Sequence, residues 1–319
     1  MDSLKQLNIR WALHRDESEP TTRQRGLFII WQLQKRGYNC DKWDGKEHAD
    51  IIVLQYNMRD LDAALATGAV VVQDVNDQVF ADHHSECHKF HDNINRVHAV
   101  VAGTERLAQH LRRMHPFVRV IQEPVDARYL AVEKKQHNGL NITWCGMDDN
   151  LRYFDEIDPV LQQLAKNHQF TMNVVCPPLD GKKQSNAEKV RQKPYPSKFH
   201  AWTMETLCEQ MALADIAVVP LSQDSWSMCK SPNKVLSFMA AGIPVVASDV
   251  IPYRGVIRHG QNGFLCLHSE DWRDALSGLL TDEPLRAKIG VGGKITAMQF
   301  RVEEIAQDWV GLFKEIRPC

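Results

Sequence analysis

Apolar positions along this chain fall into two patterns. Short unbroken runs rich in β-branched residues occur at residues 51–56 (IIVLQY), 69–75 (AVVVQDV), 98–103 (HAVVAG), 170–176 (FTMNVVC), 216–221 (IAVVPL) and 244–248 (PVVAS). Such runs predict strands covered on both faces. Less continuous runs at 8–14 (NIRWALH), 118–122 (VRVIQ), 141–146 (NITWCG) and 264–267 (FLCL) predict further strands. Between them the spacing changes to three and four. Leu27, Ile30, Trp31 and Leu33 form one stripe over residues 23–36, and Gly37 closes it. Further helices are predicted between 56 and 69, near 84–95, after a Thr104 cap, from 146 to about 167, over 205–213 after KFHAW, near Tyr253, and in three closing segments. Strand and helix in alternation predict an α/β protein with parallel sheets, helices on both faces.

The alternation breaks over residues 123–135, which hold Pro124, Asp126 and a run of charges. This predicts an N-terminal domain over 1–126 and a C-terminal domain over 127–301, with a last helix over 302–319. The polar stretch 177–196 predicts a mobile loop. Two doubly wound domains facing each other predict a central cleft.

The strongest chemical signal is residues 231–248, SPNKVLSFMAAGIPVVAS. Ser231 suits a helix cap, Pro232 the first turn, and Gly242 the end, just before the next strand. A helix start at the carboxyl end of a strand favours an anion, and Lys230 and Lys234 lie close by in sequence. A diphosphate suits that place. The competing reading is an ordinary strand-helix-strand unit with a solvated Lys234.

With 38 basic and 40 acidic residues the net charge is −2, which gives no basic excess for nucleic acid. No apolar run reaches bilayer length, and the polar start is unlike a signal peptide. Eight cysteines without a CxxC pair, with Cys145, Cys176 and Cys266 inside apolar runs, read as reduced core residues. These features predict a soluble cytoplasmic protein.

Residues 83–92 (HHSECHKFHD) place His84 with His88, and Cys87 with His91, at i,i+4 spacing. That spacing suits zinc, or else a polar helix at the cleft mouth. Trp226 suits stacking on a base or sugar, or packing in its own domain, whereas Trp144, Trp202 and Trp272 fall in predicted elements and read as core.

Over most of its length, and most strongly from residue 214 to 293, the chain resembles the group 1 family of retaining glycosyltransferases, which have the GT-B fold of two Rossmann-like domains. The likeness rests on ADIAVVPL, KSPNKVLSFMAAGIPVVAS, the IxxGxNGFL pattern at 257–265 and DWRDALSGLLTDEPLRAKIGVGG; it is looser at TRQRG, VVVQDVNDQVFA and VIQEPVD. The resemblance implies sugar transfer from a nucleotide-sugar donor to a hydroxyl of a glycan or lipid-linked glycan, without a metal ion or cofactor, and a last helix that returns to the first domain. It implies that Lys234 grips the diphosphate, with Lys230, Ser231, Asn233 and Ser237 at the same helix start. Gly146 then forms a tight turn against the donor, Arg152 supplies another phosphate cation, and Asp74 faces the reacting sugar. For Asp74 and Asp77 the other reading is loop carboxylates capping a helix.

Many relatives carry two glutamates eight positions apart, where this chain has Cys229 and Ser237. Serine cannot replace a bidentate carboxylate. Alongside a transferase of surface polysaccharide biosynthesis, working in the cytoplasm with the inner membrane face as one place of contact, stand two alternatives: a non-catalytic module binding nucleotide or glycan, and a nucleotide-sugar epimerase.

Overall fold

A computed structural model describes residues 3–14, 16–17, 19–56, 58–81, 84, 87–178 and 185–317. The chain divides into two compact units. Unit 1 holds residues 1–124, 228–231 and 300–319; unit 2 holds 125–227 and 232–299.

Unit 1 contains β1 (Ile9–Ala12), β2 (Cys40–Lys42), β3 (Ile51–Gln55), β4 (Val70–Val75), β5 (Ala99–Ala102) and β6 (Val118–Val120). They form one sheet in the order β2-β1-β3-β4-β5-β6, and every pairing is parallel. The inner strands β3 and β5 are buried along their whole length, as their unbroken apolar runs require. On one face the helix Val302–Ile316 lays Ile305, Trp309, Leu312 and Phe313 against Ile9, Trp11 and Val53. The Trp11 ring meets Trp309 and Phe313 edge-on, at centroid distances of 5.8 and 5.7 Å.

Unit 2 contains β7 (Leu140–Cys145), β8 (Phe170–Cys176), β9 (Ser197–Ala201), β10 (Ile216–Val219), β11 (Val245–Ser248) and β12 (Phe264–Cys266). Their order is β12-β11-β10-β7-β8-β9, again all parallel. Its core joins Trp144, Phe154, Leu161, Met172, Val218 and Leu276.

Several local expectations change. β2 was not expected, and neither was edge strand β9, which takes up residues 198–201 of KFHAW before the expected helix, Met204–Leu213. The stretch 177–196 contains the helix Asn186–Arg191, held by a reciprocal cap between Ser185 and Glu188; residues 179–184 lie outside the described residues. The expected single helix up to 167 is a 3₁₀ segment, Asp148–Glu156, followed by the α-helix Asp158–Leu164. Trp202 lies just past β9 and is half-buried, whereas Trp144 and Trp272 are core residues as expected. Cys145, Cys176 and Cys266 are buried free thiols.

Candidate functional site

In unit 2 the sheet grows in opposite directions from β7, through β8 on one side and β10 on the other. A crevice at the carboxyl ends of two such strands is where open α/β sheets take ligands. Gly146 directly follows β7, and the helix Asn233–Ala240 follows β10 after a loop. The sequence therefore brings one glycine and one helix start to this point.

Lys234 is in the first turn of that helix and is half-buried. Its Nζ lies 5.6 Å from the centroid of the buried Trp144 ring. A Cβ placed on Gly146 would stand 2.9 Å from the same Nζ and 2.6 Å from the Trp144 ring. Only glycine leaves room there for the ammonium on the indole face, an attractive placement in itself. Burial pushes the neighbouring Cys145 thiol up to about 11, with the Lys234 charge opposing it. That thiol is an apolar wall rather than a nucleophile.

The helix begins after Pro232, with no side-chain cap. The expected cap, Ser231, instead donates its hydroxyl to Glu123 Oε2 at 2.7 Å. Ser237 is buried, and its hydroxyl donates to the Asn233 carbonyl at 2.8 Å, one turn back in the same helix. This back-bond is a common use of a helical serine.

Arg152 is exposed and belongs to a polar group of unit 2. Its Nη2 donates to the Tyr153 hydroxyl at 3.2 Å, which in turn lies 3.2 Å from the Ser227 hydroxyl. Asp224 accepts from the Ser227 N–H at 2.8 Å and from its hydroxyl at 3.0 Å, fixing the loop that follows β10. Trp226, in the same loop, is half-buried.

The segment carrying Lys230 and Ser231 belongs to unit 1. The Thr104 hydroxyl donates to the Cys229 carbonyl at 3.2 Å, and the Cys229 side chain lies in unit 1's apolar core. Lys230 is electrostatically coupled to Asp77. Burial, with the charge of Glu123, pushes the Asp77 carboxyl up to about 6 against the pull of Lys230. Glu123, which the sequence did not single out, accepts from Ser231 and from Asn76.

Asp74 lies inside β4, and its carboxylate is engaged by the guanidinium of Arg25, Nε to Oδ2 at 2.9 Å and Nη2 to Oδ1. Both residues are 1% exposed. Arg25 also donates to the Ile121 carbonyl at 2.9 Å. Burial works against the Arg25 charge, but Asp74 and Glu123 outweigh it and raise the guanidinium above its ordinary value. Arg25 was visible in TRQRG, yet nothing in that motif marked it as the partner of Asp74.

Of the histidine-rich run, His83 lies outside the described residues. His84 Nε2 is 3.1 Å from the Tyr56 hydroxyl, His91 Nε2 is 2.9 Å from the Phe80 carbonyl, and the Cys87 thiol donates to the same carbonyl at 3.6 Å. Among the described residues no three His, Cys, Asp or Glu side chains converge as metal ligands, and no helix is long and apolar enough to cross a membrane.

Comparison with known proteins places this geometry in context. Residues 141–282 match the family model described as Glycosyl transferases group 1. An exopolysaccharide phosphotransferase of Streptomyces coelicolor is 32% identical over 113 residues, 34% of this chain and 12% of that protein. A D-inositol 3-phosphate glycosyltransferase of Stackebrandtia nassauensis is 31% identical over 109 residues, 34% of this chain and 24% of that protein. The chain thus matches a quarter or less of the length of these curated relatives. Among solved structures, Anabaena HepE in complex with UDP and glucose superposes with a TM-score of 0.73 at 15% identity, over 97% of this chain and 99% of that one. Sucrose-phosphate synthase from Thermosynechococcus elongatus gives 0.64 at 14% identity, over 95% and 80%. The chain has the GT-B fold, and its residues 141–282 match the model of the group 1 glycosyltransferases.

Proposed function

We propose that the protein is a retaining glycosyltransferase that moves a sugar from a nucleotide diphosphate donor to a hydroxyl of a glycan or lipid-linked glycan. The observation that carries this reading is Lys234, set on Trp144 and beside Gly146 at the switch point of the unit 2 sheet. A cation and the N–H groups of a helix start, in one crevice, suit the charge that grows on a departing diphosphate. HepE has been captured with UDP and with UDP-glucose, which supports a uridine nucleotide-sugar as the first donor to try.

The reaction so proposed needs no enzyme nucleophile. The leaving phosphate oxygen takes the acceptor proton while the new bond forms on the same face of the sugar. Protein cations supply the neutralisation, so turnover is expected to persist in EDTA. A role in polysaccharide synthesis has the support of the Streptomyces relative's name. The decisive experiment follows UDP release from UDP-glucose and other UDP-sugars, with and without glycan acceptors, for the wild type and for Lys234→Ala.

One observation favours a second reading, a binding module without turnover. Cys229 is buried in an apolar core and the Ser237 hydroxyl is spent on its own helix, so neither position offers a carboxylate. UDP binding with no UDP release under any donor and acceptor pairing selects that reading.

A further inference from the structure

The sheet of unit 1 also reverses its order, between β1 and β3. His14 and Tyr56 stand just past the carboxyl ends of these strands, and His84, from the stretch after β4, meets Tyr56 there. Tyr56, directly after β3, has φ 72°, the only non-glycine residue in the left-handed region among the described residues. A side chain with a Cβ resists this conformation, and such outliers persist where the surroundings hold them, often at ligand sites. Here the Tyr56 N–H donates to the Asp74 carbonyl at 2.8 Å.

The turn presents the phenol between two imidazoles. The Tyr56 ring lies 4.3 Å from His14, centroid to centroid, tilted by 36°. Its hydroxyl is 3.1 Å from His84 Nε2, with those rings edge-on at 6.0 Å. His14 is fixed by its N–H, which donates to Oε1 of the buried Gln55 at 3.1 Å. All three rings are half-buried. A flat aromatic face suits the C–H face of a pyranose, while imidazole and phenol groups both donate and accept hydrogen bonds to hydroxyls. None of the three supplies the forked cation that phosphate recognition uses.

We propose that His14, Tyr56 and His84 form a subsite for an uncharged pyranose at the carboxyl end of the unit 1 sheet. On the transferase reading above, that pyranose is the acceptor.

The test uses the full chain and a panel of methyl pyranosides (glucoside, galactoside and mannoside), read by saturation-transfer NMR and titration. At least one should bind the wild type. Tyr56→Asn should weaken it about tenfold or more while the melting temperature holds or rises, because asparagine tolerates a left-handed turn. His84→Ala should weaken it as well, and UDP binding should not change in either variant. No pyranoside bound by the wild type, or equal binding by both variants, overturns the subsite. So does a Tyr56→Asn protein that melts earlier and still binds, since the trio is then only a structural clasp. Pyranoside binding that depends on these residues, without turnover of any nucleotide-sugar, keeps the subsite and removes the transferase reading. Turnover with acceptor KM indifferent to all three residues does the reverse.

Discussion

Lys234 and Gly146 occupy one small volume, so a change at either is expected to act on both. If Lys234 grips the donor as proposed, Lys234→Ala should weaken UDP binding by about 2 kcal/mol, the scale of a lost charge-assisted contact, measured by titration calorimetry, with little change in thermal stability. In Gly146→Ala the new methyl must displace either the buried Trp144 ring or the Lys234 ammonium. The ammonium is the end of a flexible chain and should give way, at a similar loss of UDP affinity; the double variant should lose little more than either single one, since both remove the same contact. Asp77 tests the electrostatics of unit 1. Its folded pKa of about 6 lies above the ordinary carboxylate value. The folded state therefore holds this proton when the unfolded chain has already released it, and stability falls as pH rises from about 4 through 6. Asp77→Asn should flatten that part of the pH profile, by on the order of 2 kcal/mol, in urea unfolding at a series of pH values.

At the scale of elements, β4 carries a charge pair in place of one apolar contact. Asp74 and Arg25 satisfy each other in a place water does not reach. Asp74→Ala strands the guanidinium and should cost about 3–5 kcal/mol in denaturant unfolding, so any fall in activity must be read against that loss. Elements with a single environment were the legible ones. The inner strands β3, β4, β5, β8, β10 and β11 announce themselves because both faces are largely buried and apolar β-branched residues dominate them. Edge strands β2 and β9, CDK and SKFHA, have neighbours on one side and tolerate charge, so no apolar run marks them. The helix Asn186–Arg191 did carry a signal, serine followed three residues later by glutamate, but only two of its six residues are buried. The site was legible wherever neighbours in sequence suffice: a strand, a helix start, a lysine. The Trp144 support under Lys234, the Glu123 grip on Ser231 and the Arg25 grip on Asp74 join residues about 50 to 110 positions apart, and local pattern does not encode such pairings.

At the scale of the molecule, the last helix belongs energetically to the first strands. Trp309 is buried against Trp11 and Phe313. Trp309→Ala should remove about 3–5 kcal/mol. Hydrogen exchange should show the loss in the amides of β1, β3 and the helix Val302–Ile316, and leave protection in β7, β8 and β10 unchanged, because the two cores are separate clusters. The chain passes from one unit to the other after residues 124, 227, 231 and 299. Such threading has a practical cost for anyone dissecting the protein by cutting it. A fragment running from 125 to 299 would carry Cys229 and Ser231 without Thr104 or Glu123, and a fragment ending at 124 would leave those two waiting for a strip of chain encoded a hundred codons downstream. Exchanging unit 1 between relatives therefore demands that residues 228–231, embedded in the sequence of unit 2, travel with it.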